Sequence, residues 1–307
     1  MTRTAVGHFV NEQARERFLQ AYDDAMGLWP GARDEHDIET RFGTVHVHRS
    51  GAERGEPIVL LHGHGANSSN WYPQIEALGE QHPLYAVDTI DDPGRSVQRV
   101  VVKDSQDNAA WLNDVLAGLG LDRVHLVGLS YGGWLTLNQA VYRPERLASI
   151  TLLDPGGLEK VPARFLLGTI AGLFAMLAPR RMRPWFARVL ANHALIAPAR
   201  LMAPIMLSTR TFRPSHRPSA RPFTDDELRS VNVPALVLLA ERSVLLRAGK
   251  VLPRVRELIP GVCAEIVPGI GHGLPLEAPD LVNSRVLRFI SCSAQSEAYS
   301  RCSSHDG

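Results

Sequence analysis

The residues with the clearest potential for chemistry are a serine and the two glycines around it. Residues 128–132 read Gly-Leu-Ser-Tyr-Gly, with Ser130 in the middle. An apolar, strand-like run precedes them at 124–127, and a helix-compatible run follows at 135–141. A sharp turn between a strand and a helix exposes a serine hydroxyl at its tip and directs backbone N–H groups toward a developing negative charge. The pattern predicts that Ser130 is a nucleophile in acyl transfer.

A histidine between two glycines is the second candidate. His272 follows the short strand-like run 263–267 near the C-terminal end of the chain. Serine first and histidine last is the chain order of one of three unrelated families of enzymes with a Ser-His-acid triad. His272 is therefore the expected base, which takes the proton of Ser130 and later delivers it to the leaving group.

A third segment lies upstream of the serine. The apolar run 58–61 leads into residues 62–65, which read His-Gly-His-Gly. A buried strand that ends in a glycine-rich loop is where a second backbone donor to an oxyanion is found in enzymes of this kind. Together, the three segments resemble the α/β-hydrolase superfamily, and the resemblance covers roughly residues 36–290.

The chain is also similar to a particular group of that superfamily, the bacterial carboxylesterase-type hydrolases. They begin with a helix that ends in Leu-Trp-Pro, here residues 28–30, and carry Trp-Tyr-Pro after the His-Gly loop, here residues 71–73. The resemblance implies an α/β fold with a mostly parallel central sheet, helices on both faces and a helical cap inserted after the sixth strand. It also implies that the backbone N–H groups of His64 and Tyr131 form the oxyanion hole.

The acidic member of the triad is where this chain departs from the family pattern. After the strand-like run 235–239 the family usually reads Gly-Glu-x-Asp, whereas here the residues are Ala, Glu241, Arg and Ser243. Another carboxylate, Asp154, closes the apolar run 150–153 at a position where some haloalkane dehalogenases of this fold carry their acid. A charged residue at the end of a buried strand needs a partner, which His272 would supply. We predict Asp154 as the acid, with Glu241 as the alternative.

Metal and nucleotide sites are not expected. His62 and His64 lack the Asp-His pair that follows such histidines in binuclear metallohydrolases, and His46 and His48 alternate on a strand with no evident third ligand. The glycines at 128–133 lack the Walker lysine and the full dinucleotide spacing. The prediction is therefore no metal and no cofactor.

The order of elements predicts how the chain is organised. A helix at about residues 11–26 and a hairpin around Gly43 precede six apolar strands that alternate with helical segments, which is typical of a parallel sheet. Four segments are predicted: a first part of the core at 1–155, a helical cap at 156–230, a second part of the core at 231–290, and a disordered tail at 291–307. Asp88 ends a strand and is expected to brace backbone.

The predicted cap is rich in apolar residues, which favours an apolar pocket between cap and core. They are Phe165, Leu166, Ile170, Phe174, Trp185 and Phe186.

Composition is that of a globular enzyme. The net charge of +1 gives no general attraction to nucleic acid or to an anionic membrane, and the apolar run 165–177 is too short to span a bilayer. Three cysteines cannot form a disulfide framework, and charged residues interrupt any N-terminal signal-like region, so the expected location is the cytoplasm.

The expected function is hydrolysis of a small hydrophobic ester or lactone through an acyl-enzyme. One alternative is a carbon–carbon bond hydrolase with the same triad. The other is a catalytically silent ligand-binding protein of this fold. Nothing in the sequence predicts the oligomeric state.

Overall fold

A nine-stranded sheet forms the centre of the protein in a computed structural model that describes residues 6–176, 178–215 and 220–303. The strands of the described residues are β1 His8–Phe9, β2 Asp34–Thr40, β3 Gly43–Gly51, β4 Ile58–Leu61, β5 Pro83–Val87, β6 Val97–Gln98, β7 Val124–Leu129, β8 Leu147–Leu153, β9 Phe212–Arg213, β10 Ala235–Ala240 and β11 Cys263–Val267. Of these, β1 and β9 form a separate two-stranded sheet. The order across the sheet is β11-β10-β8-β7-β4-β5-β3-β2, with β6 paired to β3. The neighbouring strands β11, β10, β8, β7, β4 and β5 run parallel to one another. Strand β3 is antiparallel to β5, and β2 and β6 are both antiparallel to β3.

Helices cover both faces of this sheet. The helices of the described residues are α1 Glu12–Met26, α2 Tyr72–Gly79, α3 Ser105–Gly118, α4 Tyr131–Tyr142, α5 Ala163–Met176, α6 Arg183–Leu190, α7 Ala199–Thr211, α8 Asp225–Arg229, α9 Ala248–Leu258, α10 Leu274–Glu277 and α11 Pro279–Ser303. Side chains alternate along a strand, so Val59 and Leu61 join one apolar cluster with α3, α4 and α9, whereas Ile58 and Leu60 join another with α1, α2 and α11. The α/β fold predicted from the sequence is confirmed.

The central parallel strands are buried on both faces, and the carboxyl ends of all the parallel strands meet at one edge of the sheet. Every residue of β4, β8 and β10 is buried. Ligand sites of open parallel sheets lie beyond this edge, because the loops that follow neighbouring strands converge there. Ser130, Asp154 and His272 follow β7, β8 and β11, His64 follows β4, and the alternative acid Glu241 follows β10.

A helical insertion separates β8 from β10 and contains α5, α6 and α7. The N-terminal segment holds it from one side, since β1 pairs with β9 and the Arg200 side chain of α7 donates a hydrogen bond to the Asp24 carbonyl at 3.1 Å. Two of the apolar residues predicted to face a pocket are instead largely exposed: Phe174 is 70% and Trp185 60% accessible. The side chains of Leu166 and Ile170 lie outside the described residues.

The C-terminal segment differs from its prediction. The sequence analysis predicted a disordered tail after residue 290, whereas the backbone of residues 291–303 continues helix α11. The stretch is polar, but neither glycine nor proline occurs in it, so nothing in the sequence stops the helix. Residues 304–307 lie outside the described part of the chain. Among the described helices, none is both long enough and apolar enough to cross a bilayer.

Candidate active site

Ser130 occupies the tight turn between β7 and α4. Its backbone has φ 56° and ψ −111°, a strained conformation for a residue with a side chain. The flanking glycines are required because the chain passes so close: a Cβ on Gly132 would lie 2.0 Å from the carbonyl oxygen of Leu61, and one on Gly128 would lie 2.2 Å from the Gly132 carbonyl oxygen. The local sequence thus forces the Ser130 side chain outward at the edge of the sheet.

His272 lies in the loop after β11 and contacts the serine directly. Its Nε2 atom is 2.9 Å from the Ser130 hydroxyl. Glu277 fixes the loop by accepting hydrogen bonds from the N–H groups of Gly271, at 2.9 Å, and Gly273, at 3.2 Å. The two residues that flank the histidine are therefore held by one carboxylate, which restrains the imidazole ring.

Asp154 lies at the end of β8 and faces the other nitrogen of the histidine. Its Oδ2 atom is 2.5 Å from His272 Nδ1, and its side chain is fully buried. The Ala240 N–H donates to Oδ1 at 3.1 Å, and the Ser243 hydroxyl donates to Oδ2 at 2.5 Å. Asp154 also has a positive φ of 42°, so its backbone leaves the strand abruptly at this point. The oxygens of this buried carboxylate therefore have hydrogen-bond partners from two donors and from the imidazole.

Glu241, the alternative acid, is in a different place. Its Oε2 atom accepts a hydrogen bond from the Gly269 N–H at 2.7 Å, and the residue is exposed. Of the two candidate acids, Asp154 is the one that the structure places against His272. Glu241 instead braces the beginning of the loop that carries the histidine.

Sequence reasoning missed two contributors to this arrangement, Ser243 and Glu277. In the sequence, Ser243 is notable only because it stands where the family usually has the acidic residue. The available signal was the combination of a hydroxyl at that position with a carboxylate at the end of the neighbouring strand β8. Glu277 follows His272 closely enough to reach back to its loop, but no pattern distinguishes it from a surface glutamate.

The loop after β4 passes over the serine, as expected for a loop that contributes to an oxyanion hole. A Cβ on Gly63 would lie 3.5 Å from Ser130 Cβ. The loop is anchored by Asp92, whose Oδ1 atom accepts hydrogen bonds from the Gly65 N–H at 3.0 Å and from the His64 ring, whose Nδ1 is 2.7 Å away. The His64 side chain is 59% exposed and its ring meets that of Tyr131 edge-on.

Asp88 braces backbone, as predicted. Its Oδ1 atom accepts from the N–H and hydroxyl of Ser68, and its Oδ2 atom accepts from the Arg95 N–H. Burial raises the pKa of this carboxyl, but the neighbouring His48 and His62 and the hydrogen bonds outweigh burial and lower the pKa overall. Asp88 is therefore an ionised anchor beneath the loop 89–96.

The helical insertion lies next to the histidine. The ring of Phe165 meets the His272 ring edge-on with centroids 6.2 Å apart, and Arg164 Nε donates to the Val244 carbonyl at 3.2 Å. A cavity of about 490 Å³ lies elsewhere, between α6, α7 and the turn that joins them. None of the residues that line this cavity is Ser130 or His272.

The hairpin β2–β3 holds a cluster that the sequence analysis did not foresee. His46 and His48 were expected to have no third ligand nearby, and that expectation is wrong: a carboxylate oxygen of Glu35 lies 3.7 Å from a ring nitrogen of each. The reason is the register of the hairpin, which pairs Glu35 with His48. This cluster is separate from Ser130, because β4 and β5 lie between β3 and β7 in the sheet.

Comparison with known proteins agrees with the geometry. The profile of the alpha/beta hydrolase family matches residues 58–285. The chain belongs to this family. It is 35% identical over 277 residues to the uncharacterized carboxylesterase nap of Bacillus subtilis, a match that covers 90% of this chain and 92% of that protein.

Two solved structures from the same organism are similar over nearly the whole chain. The crystal structure of carboxylesterase CesB (YbfK) from Bacillus subtilis has a TM-score of 0.79 at 32% identity, and covers 91% of this chain and 98% of that one. The naproxen esterase (carboxylesterase NP) of Bacillus subtilis has a TM-score of 0.78 at 33% identity, and covers 89% of this chain and 97% of that one. The similarity therefore includes the helical insertion as well as the sheet.

Proposed function

We propose that this protein is a serine hydrolase that cleaves carboxylic esters or lactones through an acyl-enzyme. The observation that carries the proposal is the continuous row from the Ser130 hydroxyl to His272 Nε2, and from Nδ1 to the buried Asp154 carboxylate. Relatives that match the chain over about nine-tenths of its length are carboxylesterases. Neither a carbon–carbon hydrolase nor a silent binding protein is favoured by these relatives.

In this mechanism Ser130 is the nucleophile and His272 the base. The Ser130 oxygen attacks the ester carbonyl carbon while its proton moves to His272 Nε2. The imidazolium that forms is stabilised by Asp154, which also holds the ring in the tautomer with a proton on Nδ1. The carbonyl oxygen becomes an oxyanion, which the backbone N–H groups of His64 and Tyr131 bind.

The intermediate then collapses and the acyl group stays on the enzyme. The alkoxide leaves with the proton from His272 Nε2. A water molecule next loses a proton to His272 and attacks the acyl carbon, and the second collapse returns the proton to Ser130 and releases the acid. For a lactone, the leaving hydroxyl belongs to the same molecule as the acid.

The substrate is a small molecule with a hydrophobic acyl or alcohol group. Residues 156–230 act as a cap, and Phe165 places an apolar ring beside His272. An apolar wall at the reacting centre favours hydrocarbon groups over hydrated ones. The location is the cytoplasm, in keeping with the exposed unpaired thiols of Cys263 and Cys292, which persist in a reducing compartment.

The test is turnover of p-nitrophenyl esters from acetyl to decanoyl by the wild type and Ser130→Ala. Wild type should be faster on butanoyl or hexanoyl than on acetyl esters. Ser130→Ala should lose about 10⁴-fold or more in turnover at unchanged circular dichroism. Ser208→Ala, in helix α7, is the matched control and should keep full activity. Retention of a tenth of the activity by Ser130→Ala would remove Ser130 from the mechanism, and a steady fall from acetyl to hexanoyl would refute the apolar pocket.

A further inference from the structure

The hairpin β2–β3 brings a carboxylate and two imidazoles to one point. Its register pairs Glu35 with His48 and Asp37 with His46. Alternate residues of a strand point to the same face, so all four side chains lie on one side of the hairpin. The rings of His46 and His48 meet edge-on, with centroids 4.7 Å apart.

Each imidazole has one nitrogen for which no hydrogen-bond partner exists among the described residues. These atoms are His46 Nε2 and His48 Nδ1, and both rings are more than nine-tenths buried. Each atom lies 3.7 Å from a different oxygen of Glu35, which is too far for a hydrogen bond. Buried polar atoms normally have a partner, so two unpartnered ring nitrogens that face the same carboxylate form a point where three potential ligand atoms converge.

The opposite nitrogens are held by protein groups. His46 Nδ1 is 2.7 Å from Asp37 Oδ1, and His48 Nε2 is 2.6 Å from the Tyr22 hydroxyl. Because a carboxylate only accepts, the neutral ring of His46 has its proton on Nδ1, and its Nε2 then directs a lone pair toward Glu35. A histidine fixed through one nitrogen by a carboxylate, with the other nitrogen directed at a common point, is the usual arrangement of metal-binding histidines.

We propose that Glu35, His46 and His48 bind Zn²⁺ or a divalent transition-metal ion of similar chemistry. The three ligand atoms lie within 4.8 Å of one another. Ligand atoms about 2.0–2.2 Å from a tetrahedral zinc ion are roughly 3.3–3.6 Å apart, so the side chains need only small rotations to close on the ion. The Glu35 side chain is 43% exposed, which gives the ion a route from solvent and leaves the fourth position to water.

Two neighbouring cations, Arg33 and Arg95, interact with the Glu35 carboxylate and compete for it. Arg33 Nε is 3.9 Å from Glu35 Oε1. The positive charge of Arg33 repels the ion, so binding is weaker than at a site with the same ligands and no arginine nearby. Micromolar rather than nanomolar zinc should fill the site.

The location indicates a structural rather than a catalytic role. His48 lies under Tyr22 of α1 and beside Trp29, with ring centroids 5.9 Å and 5.8 Å away. A metal ion at this point would join β2 to β3 beneath helix α1, which in turn contacts α7. Strands β4 and β5 separate the ion from the strand that leads to Ser130. Binding should raise thermal stability without changing ester turnover at 25 °C, so the proposal is independent of the proposed function.

The test uses tag-free protein, stripped of metal with EDTA and dialysed, and titrated with Zn²⁺ in a calorimeter. We expect one ion per chain and a rise of a few degrees in the unfolding temperature at saturating zinc. Co²⁺ should give the visible absorption of tetrahedral nitrogen and oxygen coordination. Glu35→Gln, an exposed change that is compatible with folding, should abolish both the binding and the thermal shift.

The matched control is Glu39→Gln, which removes a carboxylate from the same face of the same strand. This variant should bind zinc as the wild type does. Absence of 1:1 binding to the wild type, or equal binding by Glu35→Gln, would overturn the proposal, since zinc would then be absent or bound by other histidines or thiols.

Discussion

The Ser243 hydroxyl donates a hydrogen bond to the same oxygen of Asp154 that faces His272. Its oxygen accepts from the N–H groups of Leu245, at 3.1 Å, and Leu246, at 3.0 Å, so its own proton is directed at the carboxylate. Ser243 stands where related enzymes usually carry the acid. The position therefore still contacts the proposed triad, through a hydroxyl that donates to a carboxylate on the neighbouring strand.

The choice of acid can be tested by replacing each carboxylate with its amide. Asp154→Asn should lower turnover about 10³-fold or more with little change in KM, because the amide stabilises neither the imidazolium nor the productive tautomer. Glu241→Gln should cost less than about tenfold, because an amide oxygen can still accept from Gly269. The reverse ranking would assign the acid to Glu241, and two mild effects would indicate a Ser–His dyad.

Removing the Ser243 hydroxyl should weaken the triad without destroying it. We expect Ser243→Ala to reduce kcat about tenfold, because Asp154 keeps His272 and the Ala240 N–H but loses one charge-assisted hydrogen bond. The more demanding test is the double change Asp154→Asn with Ser243→Asp, which returns a carboxylate to the usual position. It should recover at least tenfold over Asp154→Asn, whereas the matched pair Asp154→Asn with Ser243→Asn should recover nothing. Equal activity of the two double variants would contradict this role.

The loop that carries His272 depends on Glu277. Replacing it with alanine removes the acceptor for the N–H groups of Gly271 and Gly273, so the imidazole should sample non-productive positions. We expect kcat to fall roughly 10–100-fold, whereas a p-nitrophenyl alkylphosphonate, which reacts covalently with an activated serine, should still label Ser130 specifically. Asp280→Ala, a similar change a few residues further along the chain, serves as the control. Unchanged kcat in Glu277→Ala would show that the loop is rigid without this carboxylate.

An ion pair at the end of the insertion should make stability depend on pH. Hydrogen bonding to Arg221 lowers the pKa of Glu227 to about 2, and Tyr142 and Thr224 add further hydrogen bonds. A lowered pKa in the folded state contributes stability that is present above the unfolded value of 4.5 and is lost as pH falls toward 2.

Glu227→Gln should therefore reduce the free energy of unfolding at pH 7 by on the order of 1 kcal/mol, since the pair is partly exposed and screened. The difference from the wild type should shrink at pH 3. Urea unfolding at both pH values measures it, with the neighbouring and more exposed Asp226→Asn as control. A constant difference between pH 7 and pH 3 would exclude this linkage.

Much of the fold was predictable because the sheet is buried on both faces. Continuous apolar runs at 58–61 and 235–239, and the mostly apolar run at 124–127, are typical of strands buried on both faces, and they coincide with strands β4, β10 and β7. The nucleophile turn was predictable for a steric reason, since Gly128 and Gly132 lie where any side chain would overlap backbone.

What the sequence did not reveal depends on pairing between distant segments. The donor role of Ser243 arises because β8 and β10 are neighbours in the sheet, and the Glu35–His48 contact arises from the register of a hairpin. The exposure of Phe174 and Trp185 depends on how the inserted helices pack, which hydrophobicity alone does not specify. Polar composition alone does not predict the helical backbone of residues 291–303, which is compatible with a stretch that has neither glycine nor proline.

Covalent labelling is the most direct test of whether Ser130 is an activated nucleophile. A p-nitrophenyl alkylphosphonate mimics the tetrahedral intermediate and leaves a stable adduct on the attacking oxygen. We expect release of one equivalent of p-nitrophenol, loss of esterase activity at the same rate, and an adduct that peptide mass mapping locates on Ser130. Ser130→Ala should remain unlabelled, and Asp154→Asn should label at least 100-fold more slowly. Labelling at another residue, or no labelling of a wild-type enzyme that turns over esters, would contradict the assignment of Ser130 as the nucleophile.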